Sequence, residues 1–176
     1  MSTVATAIVS PDATTLTLRA VREDELSLLA DIVAELDGET RPVLEELRAT
    51  WLAMQRHPDY VCYLAQRGEL VVGTLSMIVF PVLSYRVVNE AIVETVVIRP
   101  AFRGQGLGRA MITAAMRLAA EKGAYKLALS SNLRRSDAHR FYEDMGFARH
   151  GYSFSIATKP GAETSAGPAV TGVPAA

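Results

Sequence analysis

The sequence predicts an α/β domain, and three observations carry that reading. Segments with apolar residues at every second position alternate with segments whose apolar residues recur every three or four. One β segment, Ile92 to Ile98, runs into Arg103-Gly104-Gln105-Gly106-Leu107-Gly108 and then into a stretch with a helical apolar stripe. At 176 residues the chain has the size of one ordinary domain, able to bury about two-thirds of its unfolded surface without staples.

Leu16 to Val21 reads as a strand, and Glu23 to Leu36 as a helix whose acidic first turn suits the helix dipole. Pro42 to Gln55 reads as a second helix. Pro42 sits in its first turn, and Val43, Leu44, Leu47, Trp51 and Met54 follow helical spacing. Tyr60 to Gln66, Gly68-Glu69 and Leu70 to Phe80 read as a hairpin, and Pro81 to Arg86 as a loop. Asn89 to Ile98 is the next strand. Gly106 to Lys122 is a helix with Leu107, Ala110, Met111, Ala114, Ala115, Leu118 and Ala119 inward and Gly123 at its stop. Tyr125 to Ser131, Asp137 to Met145 and Phe147 to Ala157 complete a strand, a helix and a strand. Met1 to Thr15 and Thr158 to Ala176 are rich in Ala, Thr, Pro and Gly, so disorder is expected at both ends and a folded domain over 16–157.

Charge is unevenly placed. Residues 1–98 hold seven Arg and fourteen acidic residues, a formal −7, whereas residues 99–149 hold ten basic and four acidic residues, a formal +6. The basic half suits a phosphorylated ligand. The net charge of −1 and the lack of a recognition motif argue against a nucleic-acid partner. Nothing in the sequence reads as a membrane span or a secretion signal, which with the single cysteine, Cys62, points to a reducing cytoplasmic setting. Cys62 lies in the alternating run Tyr60-Val61-Cys62-Tyr63-Leu64 and reads as a buried, inert thiol. His57, His139 and His150 show no metal-ligand spacing, so no metal is expected, and His139 reads as a packing or capping residue.

The glycine cluster is the best functional clue. Glycines let a backbone approach a ligand closely, and a helix start offers unpaired N–H groups with about half a positive charge behind them. A dinucleotide fingerprint starting at Gly104 would need glycine where Arg109 stands, and a P-loop would need Gly-Lys-Ser/Thr; both are absent. What remains is Arg-x-x-Gly-x-Gly after Val96-Val97-Ile98-Arg99-Pro100, which resembles the acyl-CoA signature of the GNAT superfamily of N-acetyltransferases. A second stretch resembles the same superfamily: Leu129-Ser130-Ser131-Asn132, then Asp137-Ala138-His139-Arg140-Phe141-Tyr142-Glu143-Asp144-Met145-Gly146-Phe147. Together the motifs cover roughly Glu94 to Phe154.

The resemblance implies the GNAT fold, a mixed, mostly antiparallel sheet of about six to seven strands with splayed central strands and about four flanking helices. It implies acetyl-CoA as acyl donor, with Val96, Val97, Ile98, Arg103, Gly104, Gln105, Gly106, Leu107, Gly108, Arg109 and Asn132 on the donor side. An acceptor amine with a pKa of about 10.4 is roughly one part in two thousand neutral at pH 7, so a base helps. Glu94 interrupts an apolar strand just before the glycine loop and is the expected base, directly or through one water; Glu90, earlier on the same face, is the fallback. Tyr142 is expected to protonate the departing CoA sulfur, and a strand N–H near Val96 or Val97 to meet the oxyanion. The acceptor is expected to be a small primary amine. The second motif looks like the aminoalkylphosphonate branch of the superfamily, whereas the acidic front half better suits a cationic acceptor. A protein acetyltransferase and a CoA-binding sensor are the rival readings, and a homodimer is compatible with the resemblance.

Overall fold

Six runs of small, β-branched and other apolar residues assemble into one mixed sheet. The computed structural model describes residues 7–8, 16–36, 40–83, 88–156 and 158, in two compact units, Met1–Leu129 and Ser130–Ala176. In the first unit, β1 (Ala7–Ile8), β2 (Leu16–Ala20), β3 (Tyr60–Arg67), β4 (Leu70–Val82), β5 (Val88–Ile98) and β6 (Ala124–Leu129) lie side by side in chain order. Neighbours are antiparallel except β5 and β6, which are parallel and therefore need a crossover. Helix α3 (Leu107–Glu121) makes it. Helices α1 (Leu26–Ala34) and α2 (Leu44–Met54) come earlier, and α4 (Ser136–Asp144) belongs to the second unit.

The sheet is buried on both faces at its centre, where Cys62, Tyr63, Leu64 and Ala65 are consecutive buried residues of β3. Tyr63 and Ala65 join Leu16, Leu18, Leu75 and Met77 on the face covered by Leu107, Met111, Ala114, Ala115 and Leu118 of α3. Cys62, Leu64 and Val97 join Leu26, Leu29 and Ile32 of α1 on the other face, with Leu47, Trp51 and Met54 of α2 against them. Each large apolar side chain buried this way contributes about 1.5–3 kcal/mol. A bidentate pair, Arg19 to Glu25 at 2.6 and 2.5 Å, ties β2 to the turn of 3-10 helix that precedes α1. Arg19 holds the Glu25 carboxyl below the usual carboxylate range.

Burial pushes the Cys62 thiol up to about 11, and its nearest polar neighbour is Thr74 Oγ1 at 3.8 Å. At pH 8 Cys62 is therefore expected to resist an aromatic disulfide reagent in the native protein and to react stoichiometrically in denaturant. Rapid labelling of the native chain, followed by absorbance, would contradict the burial.

The sequence and the structure part at several places. The strand expected to stop at Phe80 runs on through Pro81 to Val82, with Pro81 opposite Asn89. Proline is tolerated because β3 ends its pairing at Ile78, leaving β4 an edge strand on that side. Of the expected Pro81–Arg86 loop, residues 84–86 lie outside the described residues. No strand forms over 147–156: Tyr152, Phe154 and Ile156 alternate as expected but are 83 %, 90 % and 85 % exposed, and position 157 lies outside the described residues. Within the expected disordered N-terminus, Ala7–Ile8 pair with Leu18 and Thr17; the rest of 1–15, and 159–176, lie outside the described residues. Among the described residues no helix is long and apolar enough to cross a membrane.

Candidate active site

The geometry begins with a fault in the β4–β5 ladder. Ser76 faces Glu94 and Thr74 faces Val97, so one residue of β4 spans two of β5, Thr95 and Val96. This is a β-bulge, and Thr95 has φ 52°, a left-handed conformation that a β-branched residue adopts only at a cost. The bulge reverses the side-chain alternation. Ala91 and Val93 pack on the α3 face before it and Val96 and Ile98 after it, while Val97 turns to the α1 face.

Glu94 sits at the break, on the face of Ser76, Thr74 and Val97 that carries α1 and α2. The Ser76 hydroxyl donates to the Glu94 carbonyl at 3.4 Å. Partial burial raises the pKa of the Glu94 carboxyl above its ordinary value, the direction that makes a carboxylate a better base. Glu90 lies two pleats earlier on the same face and forms an ion pair with Lys126 at 3.3 Å. Its pairing leaves Glu94 the stronger candidate.

On its other side β5 pairs with β6 only as far as Val93 opposite Leu129, where β6 ends. From Glu94 to Ile98 the β6-facing edge has no ladder partner among the described residues. A strand edge without ladder partners, kinked by the bulge, is the arrangement that the splayed central strands of the expected fold require. Val96 and Val97 lie within it.

At the end of β5, Pro100–Phe102 form one turn of 3-10 helix, and the loop then enters α3 through Gly104 and Gly106, with φ 74° and 75°. Both glycines have open space where a side chain would stand, so their requirement is conformational, and Gly106 caps α3 in the left-handed region. The first amide bonded back at this helix start is Ala110 N–H, to Gly106 O at 3.1 Å. The amides of Leu107 and Gly108 lie in the first turn, where the helix itself offers no carbonyl to accept from them. Arg103 does something the sequence did not reveal: its Nε donates to Ile98 O at 2.9 Å and its terminal nitrogen reaches Glu35 O at 3.5 Å. It braces the loop against β5 and the end of α1. Arg109 is exposed on the first turn of α3.

Gly73 permits the close approach of β4 and β5 beside the bulge. A Cβ there would stand 2.2 Å from Val97 O. Sequence reasoning also missed Arg67 at the end of β3, whose terminal nitrogen donates to Gln105 Oε1 at 3.1 Å.

In the second unit, Asn132 Oδ1 accepts from Arg134 N–H at 3.0 Å, and the His139 ring nitrogen bonds Asn132 O at 2.9 Å. His139 thus fastens the Asn132 turn to α4, which agrees with a packing or capping role. Tyr142, one turn on from His139, is half-buried between Phe141 and Phe147, with edge-on ring centroids at 5.2 and 5.6 Å. Burial raises the pKa of its phenol, opposed by the Arg135 cation, so it keeps its proton at neutral pH.

Residues 26–147 match the acetyltransferase (GNAT) family. The chain belongs to that family. This GNAT chain is an N-acetyltransferase with acetyl-CoA as its donor. It is 30 % identical over 141 residues to a glucosamine 6-phosphate N-acetyltransferase of Trypanosoma brucei brucei, covering 79 % of this chain and 93 % of that protein. It is 31 % identical over 139 residues to an aminoalkylphosphonate N-acetyltransferase of Salmonella typhimurium, covering 78 % and 88 %. The crystal structure of a transcriptional regulator from Bacillus halodurans C-125 superposes with a TM-score of 0.74 at 26 % identity, covering 81 % of this chain and 99 % of that one. The expected GNAT fold is the observed one, with six strands and four helices among the described residues.

Proposed function

We propose that this GNAT chain acetylates the primary amine of a small molecule that also carries a phosphoryl or phosphonyl group, by direct transfer from acetyl-CoA within a domain spanning 16–157. The observation that carries this reading is the chemistry shared by the two enzymes named above, an amine beside a phosphorus dianion, in relatives that each align with more than three-quarters of the chain. The acidic front half had argued for a cationic acceptor. Three of its carboxylates, however, pair with cations of the basic half, Glu35 with Arg99, Asp59 with Lys122 and Glu90 with Lys126, and Glu23 and Asp31 pair with Arg48 and Arg41 within the front half. Glu25 pairs with Arg19. The argument from net charge is therefore weakened.

In the reaction, Glu94 takes a proton from the acceptor ammonium, directly or through one water. The neutral nitrogen attacks the thioester carbon, and a backbone N–H at Val96 or Val97 receives the oxyanion. As the C–N bond is made and the C–S bond breaks, Tyr142 gives its proton to the sulfur and recovers one from solvent, while the attacking nitrogen sheds its second proton to solvent and Glu94 then releases the first, so that one proton is liberated per ammonium acetylated. Loop residues Gly104, Gln105, Gly106, Leu107 and Gly108 hold the diphosphate of the donor, with Arg103 and Arg109 flanking them, and Asn132 orients the pantetheine arm.

The test is thiol release from acetyl-CoA across phosphorylated amino sugars, aminoalkylphosphonates, polyamines and lysine peptides. Release with the first two classes alone is expected. Release only with peptides favours a protein acetyltransferase, and tight CoA binding with no release favours a sensor. Tyr142→Phe is expected to slow turnover about 30-fold at pH 7, because protonating a thiolate of pKa near 8.5 is favoured there by about 2 kcal/mol. An unchanged kcat would remove Tyr142 from the chemistry.

A further inference from the structure

Gln105 is the one residue of the glycine loop whose side chain is held at both ends. It lies between Gly104 and Gly106, the two left-handed positions. Its Nε2 donates to Ala101 O at 3.3 Å, and its Oε1 accepts from Arg67 at 3.1 Å. Arg67 comes from a different part of the chain. It ends β3, and the alternation of Val61, Tyr63 and Ala65 on the α3 face carries on to it two residues later, which points it at the loop that starts α3. Its guanidinium carbon stands 6.0 Å from the centroid of the Phe102 ring, and Phe102 itself packs against the core. A ring at this distance attracts a guanidinium weakly.

The consequence concerns the loop. Two glycines in three residues leave its backbone with many conformations to lose on binding, a cost that falls when the free loop is already held in the bound shape. We propose that Arg67 is a positioning residue for the donor: set over the Phe102 ring, it holds the Gln105 carboxamide and so keeps the loop amides turned toward the diphosphate of coenzyme A. This rests on the assignment of the loop to the donor made above. Arg67 acts through Gln105, so its loss and the loss of Gln105 remove the same thing.

The experiment is calorimetric binding of CoA to the full chain as wild type, Arg67→Ala, Gln105→Ala, the double variant and Arg67→Lys, with KM for acetyl-CoA and kcat measured on each. Arg67→Ala and Gln105→Ala are each expected to weaken CoA about tenfold and raise KM similarly, and Arg67→Ala, outside the loop, to keep kcat at saturating donor within about twofold. The double variant is expected to be no more than about twofold weaker than either single one, the signature of one coupled unit. Arg67→Lys is expected to stay weak, since an ammonium keeps the charge but not the planar fork. Binding by Arg67→Ala within twofold of wild type, additive losses in the double variant, or full recovery in Arg67→Lys would each overturn the proposal. A wild-type chain that fails to bind CoA would instead overturn the assignment of the loop, so the two failures are distinguishable.

Discussion

Alanine at Gly73 is expected to destabilise the chain by about 3 kcal/mol or more, a fall of roughly 6–12 °C in Tm for a domain of this size. The added methyl would meet Val97 O at 2.2 Å and the Ile98 side chain at 3.0 Å. Backbone cannot swing aside as a long side chain can, and both neighbours are fixed: Gly73 pairs with Ile98 on one side and Ala65 on the other. Relief therefore requires β5 to move away from β4 just past the Thr95 bulge. Acetyl transfer is expected to fall further than stability, because the carbonyl that must move belongs to the segment offered to the thioester oxygen. Gly151→Ala is the control, since nothing lies within 4 Å of the added carbon, and it should stay within about 0.5 kcal/mol. Urea unfolding of both variants beside wild type decides the matter; a Gly73→Ala chain as stable as the control would show that β5 yields freely.

The reason Gly73 was invisible in the sequence is the reason much of the site was. Local periodicity located every helix and the strands from β2 to β6, because each element's own apolar pattern reports the face it buries. The bulge is set by something else, the register between Thr74-Leu75-Ser76 and the Glu94–Val97 stretch, and Thr95 looks like any β-branched strand residue until that register is known. The same non-local origin explains 147–156, where the alternation is present but there is no partner strand among the described residues, and Pro81, whose tolerance depends on where β3 stops. Glu94 was legible because a carboxylate in an apolar strand has no local excuse. The glycine loop was legible because its conformational need is written in the glycines themselves. Arg67 was not, since its role depends on Phe102 and Gln105, which lie 35 and 38 positions away.

Glutamine at position 94 is expected to lower kcat/KM about a thousandfold while leaving Tm within a few degrees, since Glu94 is exposed and the amide keeps its shape. The size follows from the acceptor: holding an amine of pKa about 10.4 neutral at pH 7 costs about 4–5 kcal/mol, and a positioned base that removes the proton as the ternary complex forms offsets most of it. The pH dependence has a definite sign. Glu94 works when ionised and partial desolvation raises its pKa, so kcat/KM in wild type should fall as pH drops through a pKa above the ordinary glutamate value, and that limb should vanish in Glu94→Gln. A second arm separates proton removal from mere shape. With an acceptor analogue whose amine has a pKa near 7, about half is neutral without help, and the gap between Glu94→Gln and wild type should shrink to less than tenfold. A defect that stays a thousandfold with the weakly basic amine would mean that Glu94 orients the acceptor rather than deprotonating it, and a variant within fivefold of wild type on both amines would move the base elsewhere.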